Sequence, residues 1–437
     1  MSTPITLTVG DLTLTYNTTY IGVDHGMLFQ EADRCRRQHS YINYDYYKDH
    51  PEDAAQSELC FCRPLRSMVP RLEFLGYTLT AVKADYNRVI AYDQGRLVES
   101  EESDVNAGHE LMSFERFIDF VRAYAVRDLN NDYIEDYGEK YSRQHGLFAS
   151  EPLIEQLPVG DFDRDTGGYS ERSHFGNLIG FLHPYSILRV LAENPANLDL
   201  EVVWDYGNFV HAGWAQNSDF VPSARRTQTY LIATEGKSDV HILKRAIALL
   251  RPEIQDFFRF IDVEDRHPFS GTSSLAKFAE GLVKIDVHNR VVFLFDNDAE
   301  GHDAYRSLQR YSFPLNMKAM VLPDIDELRS FPAKGPDGVS SADINGRAAA
   351  IECYLDLRLK DRNPPQVTWT NYKDKLDIYQ GSLNFKESYS DAFYSAAPES
   401  IASNEYDVTK LRIVLDALQI QCVRIAEQML PLVQHSD

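Results

Sequence analysis

The sequence predicts an α/β protein, and three observations carry that prediction. Between residues 226 and 330, short apolar strands alternate with amphipathic helices, the pattern of a parallel sheet covered on both faces. Before residue 220, strand-like and helix-like segments follow one another with no fixed period, as in an α+β domain. After residue 331 the clearest signal is one apolar stripe of Leu411, Val414, Leu415, Leu418, Cys422, Ile425 and Leu430, which marks a long helix. The chain therefore reads as an α+β domain over 1–220, a Rossmann-like parallel sheet over 226–330, and a helical extension over 331–437.

The elements follow in order. Residues 5–9 and 12–16 alternate apolar and polar around Gly10-Asp11, which predicts a hairpin with a two-residue loop. Residues 64–92 read as helical, as do 113–128, where Phe114, Phe117, Ile118, Phe120, Val121 and Tyr124 share a face. Residues 98–108 are an acidic loop, 175–193 read as helical, 200–204 as a strand and 215–227 as a linker. Strands are then expected at 229–234, 258–263, 291–295 and 317–322, with helices at 239–250, 274–285 and 301–311. Residues 332–342, rich in Pro, Gly, Ser and Asp, read as a flexible loop, and 346–358 and 408–430 as helices.

With 437 residues, 43% of them hydrophobic, the chain has ample material for real cores. No apolar run of about 18 residues is present, so no membrane span or membrane partner is expected. The start Met1-Ser2-Thr3-Pro4-Ile5 has neither a basic nor an apolar region, and five scattered cysteines suit a reducing compartment, so the expected location is cytoplasmic. The net charge is −22, of which residues 1–225 carry −16, 226–330 carry −2 and 331–437 carry −4. An acidic first half cannot clamp a phosphate backbone by bulk attraction. Its local basic group is Arg34, Arg36 and Arg37, so this half is expected to meet protein, either a second copy of the chain in a homo-oligomer or a regulatory partner.

Chemistry gathers at strand ends. In an open parallel sheet, functional side chains collect beyond the C-terminal ends of the strands. Here one strand runs into Glu235-Gly236-Lys237-Ser238-Asp239 and another into Asp296-Asn297-Asp298-Ala299-Glu300-Gly301. If the two strands are neighbours, Glu235, Asp296 and Asp298 converge and repel. A divalent cation relieves that, and an all-oxygen set suits Mg²⁺ or Mn²⁺. Gly236 and Gly301 suit tight turns and close approach of a ligand. Asp239 reads as a helix-capping residue. Gly236-Lys237-Ser238 is not a phosphate-binding P-loop, because Leu231 stands where its first glycine belongs.

The pair Leu-Ile-Ala-Thr-Glu235-Gly236 and Val-Phe-Leu-Phe-Asp296-Asn-Asp298-Ala-Glu-Gly301 resembles the Toprim domain of topoisomerases, primases and several nucleases. The resemblance covers about 100 residues. It implies Glu235 as general acid/base, Asp296 and Asp298 as metal ligands, with Glu235 beside the same metal, and contacts to phosphate or substrate from Gly236, Lys237 and Gly301. The haloacid-dehalogenase phosphatases also end a strand in Asp-x-Asp, but on their first strand and usually before Gly-Thr.

Toprim nucleases resembling the overcoming-lysogenization-defect type add a later Glu and Lys. Glu352 and Lys386 fill those places, as a further metal ligand and a catalytic cation. That type normally carries an ATPase domain first; this chain has none, so an ATPase or a phage protein would act in trans. Arg71-Leu-Glu-Phe-Leu-Gly76-Tyr-Thr-Leu and Leu182-His-Pro-Tyr-Ser-Ile-Leu make the first half similar to the N-terminal region of HEPN/Toprim-associated bacterial proteins, often found among defence genes. The resemblance implies a Mg²⁺-dependent nuclease acting on DNA or RNA in antiphage defence. The other reading it leaves open is a non-catalytic Toprim-fold regulatory or scaffold subunit.

Three weaker patterns remain. HEPN ribonucleases place Arg four to six residues before His, and Arg34 to His39 is one such match, fewer than chance supplies. Asp161–Gly167 echoes a calcium loop, but its glycine is one place late and Arg172 stands at the twelfth position, so it reads as a polar loop. Cys60-Phe-Cys62 lacks a second pair at zinc spacing, and Tyr41, Tyr44, Tyr46 and Tyr47 suit packing or base stacking.

Overall fold

The computed structural model describes residues 3–18, 20–39, 42, 44–99, 111–133, 145–161, 169–261, 271–285, 287–358 and 364–434. Tyr41, residues 100–108 of the acidic loop and residues 162–168 of the calcium-like loop lie outside the described residues. The chain forms two compact units, Met1–Ala224 and Arg225–Asp437. Among the described residues, no helix is long and apolar enough to cross a membrane.

The first unit is built on strands β1 (Ile5–Val9), β2 (Leu12–Asn17), β3 (Arg34–Arg36), β4 (Leu59–Pro64) and β5 (Glu201–Asp205). They form an antiparallel sheet in the order β2-β1-β5-β4-β3. The expected β1–β2 hairpin is present, and its loop residues Gly10 and Asp11 both take positive φ, as a two-residue hairpin loop requires. Leu7, Trp204 and Phe61 stand in register across β1, β5 and β4. All three are buried, and the indole of Trp204 also meets His25 edge-on at 5.6 Å.

The helical stretch expected over 64–92 is two helices, Leu65–Leu75 and Leu79–Glu99. The break is Gly76, whose φ of 102° ends the first helix in the left-handed conformation. Arg71, fully buried, donates to the carbonyl of Met27 at 2.7 and 3.1 Å and to that of Phe29 at 3.2 Å. Residues 175–193 likewise divide into Glu171–Ile179 and Pro184–Leu191. His183 Nδ1 accepts from the Tyr185 N–H and caps the second, with Pro184 in its first turn. The two stretches that suggested the family resemblance are thus a buried cation pinning a loop and a capped helix start. The middle of the expected linker packs inward: Phe220 is buried and stacks on Tyr206 at 4.3 Å.

In the second unit, strands β6 (Tyr230–Thr234), β7 (Phe258–Phe260), β8 (Arg290–Phe295) and β10 (Met317–Val321) form an all-parallel sheet in the order β10-β8-β6-β7. Every residue of β8 is buried, as a central strand covered on both faces must be. Helices Lys237–Leu250, Thr272–Ile285 and Ala299–Leu308 connect the strands, close to where the sequence predicts them.

The extension is not simply helical. The stretch expected as a flexible loop is a hairpin, β11 (Phe331–Gly335) and β12 (Gly338–Ala342). Its Phe331 and Ala333 alternate inward, a pattern hidden by the Pro and Gly around it. The helix expected at 346–358 is instead strand β13 (Ala348–Ala349) and a short 3-10 turn, Ile351–Tyr354. Pairing of β13 with β9 (Asn297–Asp298) overrides local helix propensity. Strands β14 (Val367–Lys373) and β15 (Ile378–Leu383) complete a sheet ordered β12-β11-β14-β15, and the long C-terminal helix is present as Thr409–Gln434.

Replacing Arg71 by Leu is expected to destabilise the first unit by on the order of 3 kcal/mol, since two buried carbonyls lose their donor. Chemical denaturation checks this; an unchanged midpoint would remove Arg71 from the fold's supports.

Candidate active site

The parallel register pairs Thr234 with Leu294, so β6 and β8 end side by side. The next residues cross-link the strands: Glu235 Oε1 accepts the backbone N–H of Asp296 at 3.0 Å. Its other oxygen accepts the hydroxyl of Thr272, from the start of the helix after β7. Asp296 Oδ1 accepts the N–H of Ile351 at 3.2 Å. Asp298 caps the helix Ala299–Leu308 by accepting the Gly301 N–H at 2.8 Å, and its second oxygen accepts from Gln380 Nε2 at 2.5 Å.

The β9–β13 pairing carries the turn Ile351–Tyr354 to this crevice, and with it Glu352, which is buried. Lys386 opens the helix Lys386–Ser395 and holds Glu352 at 3.5 Å. The residue before it, Phe385, sits at a φ of 60°, a strained conformation for a bulky side chain. Asp239, in the first turn after β6, accepts the Gly236 N–H at 2.9 Å and is buried. It is not the N-cap itself, which is Gly236, but caps from the third helical position, and its carboxyl also feels Glu352 and Asp296.

Electrostatics follow from crowding. Burial, with the nearby charges of Asp298 and Asp239, pushes Glu235 up to about 7, against the hydrogen bonds from Thr272 and Asp296. Burial and Glu352 push Asp239 up to about 7 as well. Asp296 stands well above the carboxylate range through burial and the charges of Asp239, Glu235 and Asp298. For Lys386, burial lowers the ammonium, but Glu352 and Asp296 outweigh it and hold it above the ordinary value. Among the described residues, Lys386 is the cation that these carboxyls feel.

The two glycines differ. A Cβ on Gly301 would lie 2.1 Å from the Asp296 carbonyl oxygen, so that glycine is required by the chain's own backbone. A Cβ on Gly236 would meet nothing closer than 3.7 Å, leaving room in front of the carboxylates. Lys237 is exposed beside it.

The donor set is all oxygen, and its raised carboxyls are those of a site lacking a counter-charge, which suits a hard divalent cation. Among the described residues, no three His, Cys, Asp or Glu side chains are disposed to grip a metal as they stand. Both oxygens of Glu235 and of Asp298 accept a hydrogen bond. Mg²⁺ needs only one or two protein carboxylates, taking water and substrate phosphate for the rest.

Of the weaker patterns, Arg34 starts a strand and pairs with Glu31, while His39 meets Asp205 at 3.1 Å. Arg36 pairs with Glu58, and Arg37 with Asp11 and Glu201. The basic group of the first unit is thus neutralised internally. Cys60 is buried with its sulfur 3.5 Å from that of Cys35, an ordinary thiol pair. Sequence reasoning missed Thr272 and Gln380, whose residue types carry no signal of their own.

Because Glu235, Asp239 and Asp296 take up protons more readily folded than unfolded, the native state binds more protons between about pH 4 and 7. Metal-free stability of the second unit is therefore expected to fall as pH rises through that window. Thermal melts at pH 5 and 8 read it, and the Asp239→Asn variant should narrow the difference; a higher melting temperature at pH 8 would contradict the assignment.

Among known proteins, the family described as HEPN/Toprim N-terminal domain 1 matches residues 1–228. No curated protein and no solved structure matches the chain. The matched segment contains the β1–β5 sheet, Arg71 and the His183 cap, and it spans more than half of the chain. The chain belongs to the HEPN/Toprim N-terminal domain 1 family.

Proposed function

We propose that the chain is a divalent-cation-dependent nuclease of the Toprim type, hydrolysing phosphodiester bonds in DNA or RNA in bacterial antiphage defence. The observation that carries the reading is the bridge from Asp296 N–H to Glu235 Oε1 at the ends of two adjacent parallel strands, inside a cluster of carboxyls that raise one another. The family of the first unit supports association with nuclease-linked defence proteins.

In this reading Asp296 and Asp298, with Glu352, hold Mg²⁺ or Mn²⁺. When bound, the cation neutralises the scissile phosphate and acidifies a water. Glu235 sits near the point where it gives and takes protons around neutrality, the property a general acid/base needs. Lys386, kept charged by Glu352 and Asp296, faces the developing negative charge. Gly236 leaves room for the substrate backbone, and Lys237 and Gly301 stand beside its path. The acidic first unit, its arginines already paired, meets protein rather than phosphate: a second copy of the chain, an ATPase or a phage protein.

A second reading, a non-catalytic scaffold or regulatory subunit, is favoured by one observation: Gln380 and Thr272 occupy carboxylate oxygens that a metal would need.

Cleavage of single- and double-stranded DNA and of tRNA, with Mg²⁺ and Mn²⁺, separates the two. Asp296→Ala and Asp298→Ala are expected to abolish cleavage with the fold retained. Unaltered cleavage by the double variant would sink the catalytic reading. Glu235→Gln is expected to lower turnover by about 10²–10⁴-fold. Independently of activity, Mg²⁺ is expected to raise the melting temperature, and less so in Asp296→Asn; no shift in the unaltered chain would favour the scaffold.

A further inference from the structure

Strands β14 and β15 reach the crevice from the extension, and one of their side chains ends on Asp298. The route is short. Ala348 of β13 stands opposite Asp298 of β9, and Gly381 of β15 lies against Ala348. A Cβ on Gly381 would meet the Ala348 Cβ at 3.0 Å, Trp369 at 2.8 Å and Val367 at 2.7 Å, so the glycine lets β15 lie close on β13. Its N–H donates to the Arg347 carbonyl at 3.0 Å. Side chains alternate along a strand, so Tyr379 shares the Gly381 face, where its ring meets those of Trp369 and Tyr372 at 6.3 and 5.0 Å. Gln380, between them and half-buried, turns to the other face. The hydroxyl of Thr370, the extra residue of a bulge in β14, donates to the Gln380 carbonyl at 3.1 Å and steadies its backbone.

The Gln380 amide makes two bonds of opposite kind. Its Oε1 accepts the Glu300 N–H at 3.3 Å, and its Nε2 donates to Asp298 Oδ2 at 2.5 Å. A backbone N–H can only donate and an ionised carboxylate can only accept, so the network admits one orientation of the amide. Asp298 Oδ1 is held by the Gly301 N–H. Bonds to different oxygens, one from the helix start and one from the hairpin, fix the plane of the carboxylate. An ionised carboxylate offers about four acceptor positions, so two hydrogen bonds leave places for a cation.

The hairpin also supplies a cation, and that cation goes elsewhere: Lys373 pairs with the Glu300 carboxylate. Asp298 receives a neutral amide, which orients it without cancelling its charge. A lysine in that place would compete with a metal ion for the same charge. A carboxylate ligand that is itself hydrogen-bonded is the usual arrangement around a bound metal.

We propose that Gln380 is a positioning residue for the cation: seated by the Glu300 N–H, its amide holds the Asp298 carboxylate in the orientation that takes a divalent metal ion, which rests on the reading of Asp298 as a ligand of the proposed nuclease.

Titration calorimetry of the full chain with Mn²⁺, beside thermal melts with and without the ion, tests this with no measure of cleavage. Gln380→Leu, which keeps similar bulk and removes the amide, is expected to weaken Mn²⁺ binding by about 10–100-fold. Gln380→Asn, one methylene too short to span both groups, is expected to weaken it as well and serves if Gln380→Leu fails to fold. Lys373→Ala removes the grip on Glu300 and leaves Asp298 untouched, so its loss is expected to stay below about threefold. Melting without metal reads hairpin docking alone; a purely structural Gln380 would lower that temperature and leave Mn²⁺ affinity where it was. Asp298→Asn separates the failures. If it weakens Mn²⁺ binding while the Gln380 variants bind as tightly as the unaltered chain, or more tightly, the role of Gln380 is overturned and the reading of Asp298 stands. An equal loss in Lys373→Ala would assign the effect to the hairpin as a whole and overturn the role of the amide. If the unaltered chain takes up no Mn²⁺, or Asp298→Asn leaves uptake unchanged, the reading of Asp298 and the role of Gln380 fall together.

Discussion

Burial of like charges where β6 and β8 end governs the second unit. The parallel register places Glu235 against the backbone of Asp296, and hydrophobic strands on either side keep water away. Carboxylates so placed must either be neutralised or hold protons. Much of the surrounding structure answers that demand. Thr272 and the Asp296 N–H donate to Glu235, Ile351 donates to Asp296, Gln380 and Gly301 donate to Asp298, and Lys386 lends its charge to Glu352. Even the absent side chain at Gly301 belongs here, since the helix start must close onto the Asp296 carbonyl for Asp298 to cap it.

The two units solve the buried-carboxyl problem differently. In the first, one aspartate shares its site with one histidine, and burial raises the carboxyl to about 8 and lowers the imidazole to about 4, so each is held in its neutral form. In the second, among the described residues, several carboxyls share the charge of Lys386, and the carboxyls stay raised.

What was legible in the sequence follows from how local each signal is. Glu235 and Asp296 were readable because each directly follows an apolar strand, with Asp298 two residues further on, and the wholly buried β8 is itself a continuous apolar run. The β1–β2 hairpin was readable from its alternation and its Gly10-Asp11 loop. The β11–β12 hairpin was not, because Pro332, Gly335 and Pro336 resemble loop chemistry while the deciding fact, burial of Phe331 and Ala333, is tertiary. Residues 346–358 looked helical for want of any sign that Ala348 and Ala349 would pair with Asp298 and Asn297. Asp239 was legible as a cap, but its membership of the charged cluster depends on Glu352. Gln380 and Thr272 reach the cluster only through the fold, and no periodicity announces them.

The sequence distance between the partners has a consequence for the order of assembly. Ile351 meets Asp296 across 55 residues, and Gln380 meets Asp298 across 82. Chains fold progressively as they leave the ribosome, N-terminal parts first. The parallel sheet is complete once β10 has emerged, yet Glu352, Gln380 and Lys386 have still to emerge. A nascent chain at that stage carries the acidic strand ends without the groups that satisfy and balance them. The crevice is complete only after nearly the whole polypeptide exists, so its buried carboxyls spend most of synthesis without their final partners.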